Sequence, residues 1–216
     1  MTKTAIILGA TGCTGKILLN KLLADNTFDR IKLFSRSSVH IDSSKIEEYL
    51  VDMLALENYS EDFKGDVVFC CFGTTASKTP DKDEYIRVDY GIPVTAAKLS
   101  EANKIPRFIV MSSMGADVNS KVFYNSVKGE MEREVLQCKI ENAYVLRPSL
   151  IGGRRDEVRK GERFAQFMMG SFDFIIPDKY KMIHPERIAN TMLWLSKNTF
   201  SKRILPSELI SKIGLR

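Results

Sequence analysis

Short apolar runs alternate with amphipathic segments over about the first two thirds of the chain. Six runs have the length and composition of strands: Thr4–Leu8, Arg30–Phe34, Ile46–Val51, Asp66–Phe72, Phe108–Ser112 and Ala143–Arg147. Three segments between them have helical spacing: Gly15–Ala24, Tyr85–Asn103 and Phe123–Cys138. Because the strands are almost continuously apolar, both faces of their sheet must be covered. The pattern therefore predicts an α/β fold with a doubly wound parallel sheet and right-handed crossovers.

The alternation becomes less regular after Pro148. We predict loops over residues 149–184 with one short helix around Glu162–Met169, and a last amphipathic helix from Pro185 to about Lys197. A chain of 216 residues is long enough for one core. We therefore expect a single domain over residues 1–216, with a small elaboration on the substrate side within residues 149–216.

The charge of the chain does not indicate a nucleic-acid binder. There are 32 Lys and Arg against 27 Asp and Glu, a net charge of +5, and the two signs are interspersed. The densest basic stretch, residues 154–163, also holds three acidic residues. It fits either a solvated face or contact with a small anionic ligand.

Cysteine usage and the apolar runs bear on location. We see no signal peptide, and the longest apolar run, Val67–Phe72, is far too short to cross a bilayer. Cys70 and Cys71 are adjacent inside that run, and no spacing of Cys and His suggests a metal site. Buried free thiols fit a reducing compartment, so the sequence predicts a cytoplasmic protein without a membrane or metal partner.

A glycine-rich loop, Gly9-Ala10-Thr11-Gly12-Cys13-Thr14-Gly15, links the first predicted strand to the first predicted helix. Gly9 allows the tight turn, Gly12 leaves room for a pyrophosphate, and Gly15 lets the helix pack close to the strand. Free N–H groups at the helix N-terminus favour anions. A tight turn alone would also use glycines, but the position at the head of a βαβ unit favours dinucleotide binding by Gly9, Thr11, Gly12, Cys13, Thr14 and Gly15.

The end of the second predicted strand bears on which dinucleotide is bound. An acidic residue there would accept hydrogen bonds from the adenosine ribose, but no carboxylate follows that strand before Asp42. Arg36 would pair with a 2′-phosphate and Ser37 would donate to it, which favours NADP(H) over NAD(H). The alternative is an exposed loop arginine. Asp52, after the third strand, fits either an adenine contact or a helix N-cap.

Tyr124 and Lys128 stand four residues apart and so share one face of the third predicted helix. A fixed cation lowers the pKa of a nearby phenol, which then exchanges a proton with a carbonyl or hydroxyl group near neutral pH. Ser112 and Ser113 end the fifth predicted strand, where a hydroxyl would hold the substrate oxygen. An incidental pair on a surface helix has the same spacing, but its place after these serines favours a catalytic site.

Together the glycine loop, Ser112-Ser113 and Tyr124-x-x-x-Lys128 resemble the short-chain dehydrogenase/reductase superfamily, in its atypical branch. Further stretches are similar to the Tat-interacting-protein oxidoreductases and their bacterial relatives, and the likeness spans roughly residues 4 to 200. These stretches are Leu8-Gly9-Ala10-Thr11-Gly12, Cys70-Cys71-Phe72-Gly73-Thr74-Thr75, Arg87-Val88-Asp89, Ser112-Ser113-Met114-Gly115-Ala116-Asp117, Val127-Lys128-Gly129-Glu130 and Leu146-Arg147-Pro148.

This resemblance implies a Rossmann fold of strand order 3-2-1-4-5-6 that binds NADP(H). It implies that Tyr124 donates the proton and that Lys128 binds the nicotinamide ribose and tunes Tyr124. It also implies that Ser112 or Ser113 steadies a small carbonyl or alcohol substrate. The further cofactor contacts that it implies are Phe72, Gly73, Thr74, Pro148, Leu150, Ile151 and Arg159.

The same resemblance leaves a second function open. Relatives are described as partners of other proteins, so an NADPH-sensing regulator or assembly protein with little turnover fits, with a protein partner or a homodimer. A nucleotide-sugar epimerase or dehydratase is less favoured, because only about a third of the chain follows Pro148 to build a substrate domain.

Three positions depart from the family's pattern. Ser149 stands where such proteins often carry glycine, and Asp89 stands where extended relatives often carry asparagine. Cys13 lies inside the glycine loop, where it either makes cofactor binding redox-sensitive or fills space. His184 either lines the substrate cleft or lies at a helix cap.

Overall fold

The computed structural model describes residues 2–73, 79–152, 177 and 180–215. Within them a seven-stranded parallel sheet has the order β3-β2-β1-β4-β5-β6-β7. The strands are β1 (Lys3–Leu8), β2 (Phe28–Ser35), β3 (Ile46–Leu50), β4 (Val67–Cys70), β5 (Arg107–Met111), β6 (Asn142–Arg147) and β7 (Ile204–Pro206). The α-helices are α1 (Cys13–Ala24), α2 (Lys82–Ile86), α3 (Ile92–Ala102), α4 (Phe123–Gln137), α5 (Pro185–Lys197) and α6 (Ser207–Ile213). A 3-10 helix covers Met53–Tyr59, and a π-helical turn, Arg87–Gly91, joins α2 to α3.

The predicted doubly wound parallel sheet is confirmed, and its first six strands have the predicted order. The sequence pattern missed β7 and α6, because β7 has only three residues and ends in a proline. The segment Tyr85–Asn103 was predicted as one helix, but it is not one continuous α-helix. The π-helical turn interrupts that segment and moves the residues after it to a different face.

Alternate residues of β1 enter the two halves of the core. Ala5 and Ile7 point to one face and Ile6 and Leu8 to the other, and all four are fully buried. Helices α1, α5 and α6 cover the first face. The 3-10 helix, α3 and α4 cover the second. Burial of both faces explains why the strands read as continuous apolar runs.

The parallel arrangement brings the carboxyl ends of the strands to one edge of the sheet. In open α/β sheets, ligands bind in the crevice outside this edge. The glycine loop after β1, the Arg36 turn after β2 and the segments after β4, β5 and β6 all meet there. Thr74, Arg159 and the predicted helix Glu162–Met169 lie outside the described residues. In the described part of the chain, every helix is too short or too polar to cross a membrane.

Candidate active site

The glycine loop packs against two backbone segments that exclude larger residues. Gly9 has φ +82°, and a Cβ added there would lie 3.0 Å from the Cys71 carbonyl oxygen. A Cβ added at Gly15 would lie only 2.1 Å from the Gly9 carbonyl oxygen. The start of α1 therefore lies directly against the end of β1, as predicted for Gly15.

The first residues of α1 and the loop before it are open to solvent. Thr11, Gly12 and Cys13 are exposed, whereas Thr14 and Gly15 are buried beneath them. Gly12 is the N-cap residue and offers no side chain to the free N–H groups of the first turn. These donors and the helix dipole are therefore available to an anion.

Arg36 and Ser37 lie exposed in the turn after β2. The Ser35 hydroxyl donates to the Ser37 carbonyl oxygen at 2.8 Å and fixes this turn. A carboxylate that the prediction overlooked, Glu48 on β3, lies nearby, but it accepts hydrogen bonds from the Ser38 hydroxyl and the Val39 N–H.

Arg36 forms no ion pair with any residue that the structure describes. The salt bridges found among those residues all join other side chains. An unpaired, exposed guanidinium at the crevice is suited to bind an anionic group of a ligand.

Asp52 lies at the start of the 3-10 helix, and its carboxylate accepts a hydrogen bond from the Leu54 N–H at 2.9 Å. The sequence left two roles open for Asp52, an adenine contact and a helix N-cap, and in the structure it forms the N-cap. The side chain is also exposed, and the same carboxylate has a second oxygen for a ligand contact.

The segment after β4 lies beside Lys128 of α4. Phe72 is partly buried and Gly73 is exposed. A Cβ added at Gly73 would lie 3.4 Å from Asp89 Oδ1 and 3.7 Å from Lys128 Nζ. The structure thus brings together two segments that the sequence analysis placed separately, the loop after β4 and the face of α4 that carries Lys128.

Lys128 forms a buried ion pair with Asp89. Its Nζ lies 2.7 Å from Asp89 Oδ1, and the two side chains are 3% and 0% exposed. Asp89 comes from the π-helical turn, on a different part of the chain. From the sequence Asp89 was only a departure from the family's pattern, and its pairing with Lys128 was not predicted.

Tyr124 lies one turn before Lys128 on α4 and is partly buried. Its ring packs against that of Tyr85, with 5.5 Å between the centroids. Burial raises the pKa of Tyr85 well above its usual value, and the charges of Asp89 and Tyr124 raise it further. Tyr85 is therefore a neutral phenol beside Tyr124, and no prediction had included it.

The loop after β5 fixes the start of α4. The Asp117 N–H donates to the Asn125 carbonyl oxygen at 3.1 Å. A Cβ added at Gly129 would lie 2.4 Å from Val118 N, so α4 approaches this loop as closely as backbones allow. This contact sets the position of Tyr124 relative to β5.

The two adjacent serines after β5 have different surroundings. The Ser112 hydroxyl donates to Glu132 Oε1 at 2.5 Å. Glu132, which is 3% exposed, also accepts hydrogen bonds from Arg147 Nε at 2.9 and 3.0 Å. These bonds raise the pKa of Arg147 above its usual value. Ser112 is thus committed to a structural network between β5, β6 and α4.

Ser113 differs because its buried hydroxyl has no hydrogen-bond partner within the described part of the chain. A buried hydroxyl without a partner carries an energetic penalty that a bound ligand would relieve. Of the two serines left open by the sequence, Ser113 is the one whose hydroxyl is available.

The segment after β6 lies at the same edge. Pro148 accepts a hydrogen bond from the Met114 N–H at 2.9 Å, which joins the ends of β5 and β6. The Ser149 hydroxyl donates to the Lys181 carbonyl oxygen at 2.5 Å and accepts from Ser207 at 2.9 Å. Ser149 is therefore engaged with the C-terminal part of the sheet.

Leu150 and Ile151 follow Ser149 in the same segment. Leu150 is exposed, and Ile151 pairs with Ile183 in a short parallel bridge. His184 is exposed at the N-cap of α5, which agrees with its expected place at a helix cap.

A cavity of about 500 Å³ lies elsewhere, between the 3-10 helix and α3. Its lining contains none of the predicted site residues. Of the residues described, no group of three His, Cys, Asp or Glu side chains is placed to hold a metal ion. The predicted site residues that the structure describes therefore lie outside this cavity, and several of them line the edge of the sheet.

The comparisons with known proteins agree with this geometry. The model of a family described as NAD(P)H-binding matches residues 9–151, which run from the glycine loop through β6. The chain belongs to this NAD(P)H-binding family. Its matched region includes both the glycine loop and the Tyr124–Lys128 pair.

Two relatives support the family assignment. Protein HTATIP2 of Rattus norvegicus is 36% identical over 182 residues, which cover 82% of this chain and 73% of the relative. Protein FMP52-1, mitochondrial, of Scheffersomyces stipitis is 31% identical over 166 residues, covering 73% and 71%. The resemblance to the Tat-interacting-protein oxidoreductases is thereby confirmed.

Solved structures share the fold. MoeE5 in complex with UDP-glucose and NAD superposes with a TM-score of 0.68 at 16% identity, covering 93% of this chain and 74% of MoeE5. The UDP-glucose 4-epimerase of Thermotoga maritima gives 0.70 at 14% identity, covering 97% and 80%. At these identities the likeness concerns the Rossmann-type fold alone.

Proposed function

We propose that this protein is an NADP(H)-dependent oxidoreductase that interconverts a small carbonyl compound and its alcohol, with Tyr124 as the proton donor. The observation that carries the proposal is the position of Gly73 over Lys128. A Cβ added at Gly73 would lie 3.7 Å from Lys128 Nζ, so the cofactor-side loop and the catalytic helix share one crevice.

The residues present fit a dinucleotide. Gly9 and Gly15 form a close-packed turn that leaves the N–H groups of α1 open. These donors would hold the pyrophosphate, and Lys128 would contact the nicotinamide ribose. Domain organisation as a single unit over residues 1–216 is part of the same proposal.

Arg36 supports NADP(H) rather than NAD(H) as the cofactor. Its guanidinium is exposed after β2, where an NAD(H)-binding site would place a carboxylate. A 2′-phosphate would supply the anion that Arg36 lacks among the described residues, and Ser37 is exposed beside it.

The chain's own groups divide the chemistry between them. When bound in this crevice, NADPH would supply the hydride for the substrate carbon. Tyr124 donates a proton to the substrate oxygen, and the Ser113 hydroxyl donates a hydrogen bond to the same oxygen. Lys128, held by Asp89 at 2.7 Å, fixes the cofactor side of the crevice.

Oxidation of NADPH across a panel of aldehydes and ketones tests this function. We expect Tyr124→Phe to lower the rate by about 10²–10⁴-fold, the usual contribution of a positioned proton donor. Tyr59→Phe is the matched control, because Tyr59 lies on the 3-10 helix against Phe34. Equal rates in wild type and Tyr124→Phe would refute the role of Tyr124.

A second function, NADPH binding with little turnover, is favoured by one observation. Lys128 is committed to a buried carboxylate, which offsets the charge that would activate Tyr124. Such a protein would act through a protein partner or as a homodimer. Tight NADPH binding without oxidation, together with a co-purifying partner, would support it over the first proposal.

Location in the cytoplasm stays a prediction from cysteine usage. The free thiols Cys70, Cys71 and Cys138 are buried, in keeping with a reducing compartment. The FMP52 relatives carry the word mitochondrial in their names. Fluorescence microscopy of the tagged chain in its own cells distinguishes the two locations.

A further inference from the structure

Asp89 and Lys128 form an ion pair that is closed to solvent. Their charged atoms lie 2.7 Å apart, and the side chains are 0% and 3% exposed. Water and salt therefore screen these charges much less than they screen charges at the surface. Any group beside this pair experiences the sum of the two fields.

The π-helical turn explains how Asp89 reaches Lys128. In Arg87–Gly91 the helix widens between α2 and α3, and Asp89 lies in the middle of the turn. Such turns insert a residue into an otherwise regular helix and are frequent at functional sites. Here the turn packs against α4 and presents Asp89 to its buried face.

Tyr85 lies between the charge of Asp89 and the ring of Tyr124. The Tyr85 ring packs 5.5 Å from that of Tyr124 and 5.8 Å from that of Phe123. Burial raises the pKa of Tyr85, and the nearby negative charge of Asp89 is the next largest cause. Tyr124 contacts this ring and lies one turn before Lys128 on α4, so the ion pair and the two phenols form one cluster.

We propose that Asp89 compensates the charge of Lys128, so that Tyr124 lies beside a nearly neutral ion pair instead of an isolated cation. Asp89 is then a positioning residue that holds the ammonium in place and limits its effect on the phenol. This inference rests on the proposed site of Tyr124 and Lys128, and it concerns the electrostatics of that site.

The other groups around Tyr124 do not replace this compensation. From α2, Tyr85 stays a neutral phenol, and Lys82 lies over the Phe123 ring with its Nζ 5.3 Å from the centroid. From β4, burial raises the pKa of the Cys70 thiol to about 11, so it is uncharged near neutral pH. Among these named neighbours only Asp89 carries a negative charge, so none of the others offsets the charge of Lys128.

The titration of Tyr124 measures this field without any substrate. The seven tyrosines can be labelled with a carbon isotope at Cζ and followed by NMR from neutral to alkaline pH. Tyr124→Phe identifies the Tyr124 signal. Asp89→Asn keeps a hydrogen-bond acceptor for Lys128 but removes the negative charge, and we expect the midpoint of the Tyr124 titration to fall by about 1 pH unit or more.

A double variant, Asp89→Leu with Lys128→Met, tests the same inference if Asp89→Asn alone fails to fold. Replacing a buried ion pair by apolar groups is often neutral or stabilising. Because the pair is proposed to be nearly neutral as a whole, we expect the midpoint to stay within about 0.5 pH unit of wild type. Removal of the Glu61–Lys64 pair, which is also 2.7 Å long but exposed, is the matched control. We expect it to leave the midpoint of the Tyr124 titration unchanged.

Two outcomes would overturn the inference. One is a Tyr124 midpoint that stays or rises in Asp89→Asn. The other is a rise of about 1 pH unit or more in the double variant, which would mean that Lys128 acts alone. NADPH oxidation by the wild type is measured separately, so a lack of turnover counts against the proposed function without affecting the titration result.

Discussion

Replacing Gly15 by alanine tests the packing on which the glycine loop depends. The added Cβ would lie 2.1 Å from the Gly9 carbonyl oxygen and 2.9 Å from its carbon. Real Cβ contacts essentially never fall below 3.0 Å, so α1 must move by almost an ångström relative to β1. Both sides of the contact are backbone, and no side-chain rotation relieves it.

The expected loss of stability follows from two opposing effects. Forced overpacking of this kind costs about 1–3 kcal/mol, and backbone on both sides places it near the upper end. Alanine is better than glycine in a helix by about 1 kcal/mol, which offsets part of the strain. We therefore expect Gly15→Ala to lower the free energy of unfolding by about 2 kcal/mol and the Tm by about 4–8 °C.

Gly12→Ala is the matched control, because its added Cβ faces the same atom at 3.3 Å. Gly12 has φ −72° and ψ 165°, which alanine adopts without strain. We expect its unfolding free energy to stay within about 0.5 kcal/mol of wild type. Alanine is a poorer N-cap residue than glycine, but it also lowers the entropy of the unfolded chain, and the two effects offset each other. Its methyl group would instead weaken NADP⁺ binding.

Urea denaturation measures the first effect, and the rise in Tm on adding NADP⁺ measures the second. A ligand at 100 times its Kd adds about 2.7 kcal/mol of stability, so loss of binding is easily seen. If Gly15→Ala were as stable as wild type, or if Gly12→Ala kept the full NADP⁺ shift, the proposed use of this loop would be refuted.

Three further predictions concern the buried carboxylate, acid stability and thiol access. Glu132→Gln should lower the free energy of unfolding by about 1–3 kcal/mol in urea, because its guanidinium partner loses a charged acceptor, whereas Glu134→Gln on the same helix should change little. Burial alone would raise the pKa of Asp25, but hydrogen bonds such as that from Lys197 outweigh it and hold the pKa below its usual value. The stabilisation is therefore present above that value and lost as the pH falls through the folded-state pKa, and Asp25→Asn should flatten the acid limb of stability against pH. Cys13 is the exposed thiol of the four, so a thiol reagent should modify one cysteine of the native protein, and NADP⁺ should slow the reaction.

Each of these predictions has a clear contrary result. Equal losses in Glu132→Gln and Glu134→Gln would mean that burial of the carboxylate is unimportant. An unchanged acid limb in Asp25→Asn would show that its ion pair is not stabilising. Rapid labelling of more than one thiol in the native state would contradict the burial of the others.

The sheet was predictable because its strands leave a strong local signal. Runs such as Val67–Phe69 are buried on both faces and so are apolar at every position. The edge strand Ile204–Pro206 is too short to leave such a signal. The glycine loop and Tyr124-x-x-x-Lys128 were also visible, because each depends on residues close together in the chain.

The network around these residues was not predictable from local patterns. Asp89 and Lys128 are distant in sequence, and only the π-helical turn brings them together. Ser112 and Ser113 are adjacent and of the same residue type, so the sequence does not distinguish them. In the structure Ser112 has a carboxylate partner, Glu132. One signal was present: Tyr124, Lys128 and Glu132 repeat every four residues, so three polar groups fall on one helix face.

Transfer of deuterium from NADPH labelled at the hydride position tests the central claim most directly. A mixture of aldehydes and ketones is incubated with the labelled cofactor, and the alcohols are analysed by mass spectrometry. We predict one deuterium on the carbinol carbon of a product formed by wild type, a yield about 10²–10⁴-fold lower with Tyr124→Phe, and a normal yield with Tyr59→Phe. Bound NADPH with no labelled alcohol from any carbonyl compound would contradict the account.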